Sequence, residues 1–285
     1  MKVIADGGST KTNWCLVNEE GKKVYFNTEG YNPYFISIEG IIASLHNNLP
    51  DNLVLDDIDE VNYYGAGCSN PDKREIVRKA MESVFTKAHV YVGHDLLAAA
   101  RALLGNERGF AAILGTGTNS CIYDGRGVET SIDSLAYFLG DEGSGSYIGK
   151  RLLRDYLRGY MPSNLSDSFW DTYQLTTEDV LDRLYNQPHP NRFLAQFSKF
   201  LYDNNNHLPY ASEVVKDGFD AFFKNIVSHY PDYQHYKFNC IGSVGYNFRD
   251  VLEVVAAEYG MEFGKIIRSP IDDLVHYHLN LAIHD

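Results

Sequence analysis

Four carboxylates in this 285-residue chain stand where chemistry is readily done. Asp6 ends a short apolar run and is followed by Gly7-Gly8-Ser9-Thr10-Lys11. Asp95 follows the run VYVGH and opens an Ala/Leu-rich stretch, while Asp141 and Glu142 are adjacent in GDEGSG. A carboxylate at the end of a strand can hold a hydrated cation or accept a proton, and neighbouring glycines let backbone N–H groups close on a phosphate. Plainer roles compete: Asp6 as a turn former, Asp95 as the N-cap of the helix that follows it. A second turn, Gly115-Thr116-Gly117-Thr118-Asn119, has no charge and offers only N–H, amide and hydroxyl groups. No G-x-x-x-x-G-K-[ST] run occurs, and the glycines after Asp6 precede a strand, which excludes a P-loop. Gly143, Gly145 and Gly149 approximate a dinucleotide-binding spacing, but GYMPSNLSDSFWDTY does not supply the following strand and acid that such a site needs.

Composition narrows the classes. With 25 Lys+Arg against 38 Asp+Glu the formal charge is −13, which argues against a general binder of nucleic acid or anionic membrane. A nucleotide stays admissible, since backbone donors and a dication hold phosphates without many lysines. Cys15, Cys68, Cys121 and Cys240 are isolated and mostly flanked by apolar residues, as expected of buried thiols in a reducing, cytoplasmic setting. No signal-peptide pattern or membrane-length apolar run is present. His276 and His278 are two apart and make a poor metal pair on a helix. Tyr230, Tyr233 and Tyr236 read as packing residues, and Asn204-Asn205-Asn206 as a loop.

The elements that must position these groups occur twice. GFAAILGTGTNSCIYDGRGV, residues 109–128, repeats the order of the opening VIADGGSTKTNWCLVNEEGKKV: apolar run, glycine-rich tip, apolar run with a cysteine, charged turn. Each tip reads as a hairpin whose glycines tolerate positive φ. Strands and helices alternate after each: helices near 37–48, 72–85 and 95–104 with strands EVNYYGAG and HVYVGH, then a strand near 128–132, a helix near 145–158 and helical sequence from 165 to 229. Strand KFNCIG, a helix near 247–259, strand EFGKII and a helix near 271–283 close the chain. The pattern predicts two α/β halves of mixed sheet flanked by helices. The N-terminal lobe is residues 1–106, with the closing helix 271–285 a candidate to join it. The C-terminal lobe is 107–270, with a helical insertion at about 160–230. Two such lobes facing each other would point both tips into one cleft.

ADGGSTKT, GTGTNS, GDEGSG and GSVGYNF, in that order, resemble the phosphate, phosphate, sugar-side and adenosine motifs of the N-acetylglucosamine kinases. These are relatives of the BadF/BcrA-type ATPases within the actin, heat-shock ATPase and sugar-kinase superfamily. The resemblance covers nearly the whole chain. It implies a duplicated ribonuclease H-like, actin-like fold and transfer of the γ-phosphoryl of ATP to a hydroxyl of an amino sugar, N-acetylglucosamine first. Glucosamine and N-acetylmuramic acid are the nearest other acceptors, and an ATP-driven activator of a radical dehydratase is the other class. Isolated cysteines count against the activator's iron–sulfur cluster.

By the same resemblance Asp6 holds Mg2+, and ATP lies against Gly7, Gly8, Ser9, Thr10, Lys11, Gly115, Thr116, Gly117, Thr118, Gly242, Ser243 and Val244. Asp95 is the base that deprotonates the acceptor, and Asn32, Gly67, Cys68, Asn119, Asp141 and Glu142 line the sugar with it. Homodimerisation is left open. One departure stands out: where the family carries Gly-Gly-Trp-Gly before GDEG, this chain has Asp133-Ser134-Leu135-Ala136, which bears on the choice of sugar.

Overall fold

The computed structural model describes residues 1–8, 10–205 and 209–281; Ser9 and Asn206 lie outside them. The chain divides into two compact units, Met1–Asn106 with Pro270–Asp285, and Glu107–Ser269.

In the first unit β1 (Lys2–Gly7), β2 (Lys11–Val17), β3 (Lys23–Glu29), β4 (Glu60–Gly65) and β5 (His89–His94) form one sheet in the order β3-β2-β1-β4-β5. β1–β2 and β2–β3 pair antiparallel, while β1–β4 and β4–β5 pair parallel. The parallel strands are apolar on both faces because helices cover both. Val3, Ala5, Val61 and Tyr63 pack with α1 (Ile38–Asn48) and α2 (Pro71–Val84) in one buried cluster. On the alternate side of the pleat, Tyr64 meets α3 (Asp95–Leu104) and α12 (Ile271–Leu281). There Arg101 donates to the Tyr64 hydroxyl, which also bonds His278 Nε2 at 2.9 Å. Burial lowers the His278 pKa to about 4, so the ring is neutral.

The second unit repeats the plan. β6 (Gly109–Leu114), β7 (Thr118–Tyr123), β8 (Val128–Ser131), β9 (Phe238–Ile241) and β10 (Phe263–Ile267) run in the order β10-β9-β6-β7-β8. Again the first three pair antiparallel and the last two add in parallel. The strand order of one sheet therefore maps onto the other, the mark of a duplicated actin-like fold. Between β8 and β9 lie α4 (Ala136–Leu139), α5 (Gly145–Leu157), α6 (Ser163–Tyr173), α7 (Thr177–Tyr185), α8 (Pro190–Asn205) and α9 (Pro209–Asn225). Their apolar faces close on one core through Phe169, Phe197, Phe200, Phe219 and Phe222. Asn204 and Asn205 belong to α8 rather than to a loop. The helix expected near 247–259 is two, α10 (Ser243–Asn247) and α11 (Arg249–Glu258). Tyr230 is buried, with its hydroxyl bonded to Ser120 and to the Ile132 N–H. No helix among the described residues is long and apolar enough to cross a membrane.

Candidate active site

In the first unit, Asp6 is the penultimate residue of strand β1 and Asp95 takes the first position of α3. Parallel pairing of β1, β4 and β5 brings their C-terminal ends to one edge of the sheet, where open α/β sheets place their chemistry. Packed protein surrounds both carboxyls, although each residue keeps part of its area in solvent. Burial raises the Asp6 pKa to about 7, with repulsion from Asp95 adding to it and a hydrogen bond from Asn13 opposing it. Burial likewise raises Asp95 to about 6. Two acids pressed together in this way bind a proton or a cation more readily than either would alone.

The α3 N-cap is His94, not Asp95: its Nδ1 accepts from the Leu97 N–H at 3.2 Å. Desolvation, then the nearby Arg74 and Arg101, holds the His94 pKa down and keeps that acceptor available. Asp95 Oδ1 accepts from the Leu96 N–H at 2.8 Å. Its role is separable from the cap because the residue before it does the capping. Neither Gly7 nor Gly8 lies in the left-handed region, so the expected reason for these glycines is corrected. A Cβ on Gly7 would lie 2.8 Å from Tyr63 Cζ and closer still to the Tyr63 hydroxyl. Gly8 closes the turn by donating to the Lys11 carbonyl at 2.9 Å, and the Thr10 carbonyl accepts from the Gly30 N–H at 3.0 Å.

Asn32, Gly67 and Cys68 gather near these acids. Gly67 has φ +79°, and a Cβ there would stand 2.7 Å from Asn32 Oδ1. That oxygen accepts from the Tyr34 N–H, so Asn32 offers a ligand its amide N–H donors. Cys68 is fully buried, and its thiol is pushed up to about 12 by burial and by Asp95. Its thiol is thus closed off, leaving only backbone for a substrate. Asn13 was missed from the sequence, although counting the hairpin register pairs it with Asp6. His94 was missed because aspartate is the commoner cap.

In the second unit the tip between β6 and β7 rests on the GDEG loop. Asp141 Oδ1 accepts from the Thr118 N–H at 3.0 Å, and a Cβ on Gly117 would lie 2.9 Å from Asp141 Oδ2. Gly145 and Ser146 donate to the carbonyls of Gly115 and Thr116 at 2.8 and 3.1 Å. Asp141 is buried, with its pKa raised mainly by desolvation, and it buttresses this tip. Glu142 accepts from Asn225 at 3.1 Å, and Asn119 Oδ1 accepts from the Ser120 N–H at 3.0 Å. Leu135 and Ala136 have φ of +58° and +54°, so the altered stretch takes a left-handed turn without glycine. Gly242, at φ +121°, could not carry a Cβ, which would sit 2.6 Å from the Leu114 carbonyl carbon. It packs against the start of the tip, while Ser243 is exposed and the Val244 side chain is in the core.

Taken unit by unit, the carboxylates of the first suit a hydrated dication and the donors of the second suit phosphate oxygens. Thr118 Oγ1 is buried against Asp141, Gly115 has nothing within 4 Å of its Cβ direction, and in the first unit the charge of Asp95 raises the Asp6 pKa while a hydrogen bond from Asn13 opposes it. In the second unit a cavity of about 620 Å³ opens beyond α10, between Asn247, Phe248, Asp250 and Val251 and the α9 residues Ser212 and Lys216, ample for a nucleoside. Among the described residues no group of three or more His, Cys, Asp or Glu could hold a metal ion, so a dication here would depend on water and phosphate for its other ligands.

No family model and no curated protein matches the chain. Among solved structures, the putative N-acetylglucosamine kinase of Porphyromonas gingivalis is 38% identical over 98% of this chain and 99% of its own, with a TM-score of 0.92. The putative N-acetylglucosamine kinase of Chromobacterium violaceum is 17% identical over 97% and 98%, at a TM-score of 0.71. The ethanolamine utilization protein EutJ of Carboxydothermus hydrogenoformans is 13% identical over 96% and 86%, at 0.54; these two share the fold. Identity of this level over both full lengths, on one duplicated scaffold, places the chain in the N-acetylglucosamine kinase family.

Proposed function

We propose that the protein transfers the γ-phosphoryl group of ATP to a hydroxyl of an amino sugar, N-acetylglucosamine. What most supports this is the paired carboxylates Asp6 and Asp95, both raised in pKa at one sheet edge. Asp95 takes the proton of the attacking hydroxyl as the new P–O bond forms and the bond to the ADP oxygen breaks. A base with a pKa near 6 is ionised at neutral pH and still basic enough to share that proton. Asp6, with Gly7, Gly8 and Thr10 beside it, would hold Mg2+ through water; the ion supplies charge neutralisation on the phosphates. Gly115, Thr116, Gly117 and Thr118 present N–H and hydroxyl donors to the phosphates, with Asp141 keeping that tip in shape. Asn32 donates to a sugar oxygen. Lys11, Ser9, Gly67, Asn119, Glu142, Gly242, Ser243 and Val244 complete the proposed contacts, Val244 and Cys68 through backbone alone.

The deciding experiment is ADP release in the presence of Mg2+ across a panel of amino sugars, with the products weighed by mass spectrometry. N-acetylglucosamine should raise ADP release at least tenfold and gain one phosphoryl group. Release that is indifferent to every sugar would overturn the reading. A larger response to glucosamine or N-acetylmuramic acid would move the acceptor and leave phosphoryl transfer standing.

A further inference from the structure

Beside Asn32 the chain exposes two aromatic rings, Tyr34 at 56% and Phe35 at 71%. The segment is a tight turn: the Phe35 N–H donates to the Asn32 carbonyl at 2.9 Å and the Tyr34 N–H to Asn32 Oδ1 at 3.1 Å. Lys73, in the first turn of α2, ties that turn down. Its Nζ lies 3.4 Å from the Pro33 carbonyl oxygen and 4.7 Å from the centre of the Tyr34 ring. The lysine is held in place by Asn70, whose side-chain oxygen caps α2 by accepting from the Asp72 and Lys73 N–H groups. An exposed tyrosine ordinarily samples several rotamers, but here an ammonium sits over one face and holds the ring. Charge–ring attraction of this kind orders a side chain before any ligand arrives.

The turn connects to Asp95 through the loop after β4. Asn32 packs against Gly67, and Cys68, next in sequence, lies close enough to Asp95 to feel its charge. A ligand meeting the Asn32 amide therefore has an ordered aromatic surface at its side and Asp95 within the same unit. A pyranose suits such a place. Its ring hydroxyls seek polar partners along the edge, while its C–H bonds form an apolar face that packs on an aromatic ring.

We infer that Tyr34 is a specificity-determining residue that stacks against the apolar face of the acceptor sugar. Lys73 is a positioning residue that acts through it by fixing the angle of the ring. The inference rests on the kinase reading and assigns part of its acceptor site. Lost ring packing of this kind corresponds to roughly ten- to thirtyfold in affinity.

The test compares wild type, Tyr34→Ala, Tyr34→Phe, Lys73→Met and Lys73→Arg by steady-state kinetics and by calorimetric titration with N-acetylglucosamine. Tyr34→Ala should raise the sugar KM and Kd about ten- to thirtyfold, with kcat and the ATP KM held within about twofold. Tyr34→Phe keeps the ring and should stay close to wild type. Lys73→Met should raise the sugar KM about threefold, and Lys73→Arg should restore it, since both cations sit on aromatic faces. A purely structural lysine would instead lower the melting temperature and disturb both substrates alike. Tyr34 is solvent-exposed, so loss of folding cannot stand in for loss of binding. A Tyr34→Ala enzyme whose sugar KM and Kd stay within twofold overturns the inference while leaving the kinase reading intact. A wild-type protein that neither binds nor phosphorylates an amino sugar overturns both.

Discussion

Replacing Asp95 with asparagine separates the chemistry of this residue from its structural surroundings. Asparagine keeps an oxygen for the Leu96 N–H, and His94 continues to cap α3, so no helix contact is lost. What disappears is a proton acceptor, and turnover should fall by about two to four orders of magnitude. Stability should move the other way. The folded pKa of Asp95 is about 6 against an ordinary 3.8. Its ionised form in the native state therefore costs up to about 3 kcal/mol, less what residual solvent contact screens. That cost is absent below the unfolded pKa, grows as pH rises from about 4 to 6, and is complete above the folded value. In metal-free buffer at pH 8, Asp95→Asn should be more stable than wild type by about 1–3 kcal/mol in urea melts, and the two should converge near pH 4. Removing the Asp95 charge also lowers the Asp6 pKa, adding to the gain. Turnover within tenfold of wild type, or a less stable variant at pH 8, would refute the reasoning.

Other outcomes follow from the same geometry. Wild-type kcat/KM for the sugar should fall about tenfold per pH unit below pH 6, as the raised Asp95 pKa predicts; a flat profile down to pH 5 would count against Asp95 as the base. Gly115→Ala meets nothing within 4 Å and should melt like wild type, yet weaken ATP binding measured by titration. Gly7→Ala drives a methyl into Tyr63 and should cost about 1–3 kcal/mol of stability as well as nucleotide affinity. The four thiols are all buried, and burial raises each pKa. A disulfide-exchange dye should therefore react slowly with native protein and count four thiols only after denaturation. His278→Ala leaves the buried Tyr64 hydroxyl one partner short and should cost about 1–3 kcal/mol by urea melting.

Sequence by itself determined the elements and their repetition. Period-two and period-3.6 patterns are local, and so are the glycine tips, so β5 and α3 meet at Asp95 as their apolar runs foretell. The family motifs and the burial of the cysteines were equally readable there. Only tertiary structure decided which groups act on each other. Asp6 and Asp95 come together because β4 inserts in parallel between their strands, a crossover that periodicity does not encode. Asp141, read as a sugar-side residue, also buttresses the tip at Thr118, because the chain folds back after β8 and α4 to reach it. Gly7 is needed for the room that Tyr63 leaves rather than for a turn angle. A residue's type limits what it can do, but its partner is set by burial and strand order, and both are properties of the assembled chain.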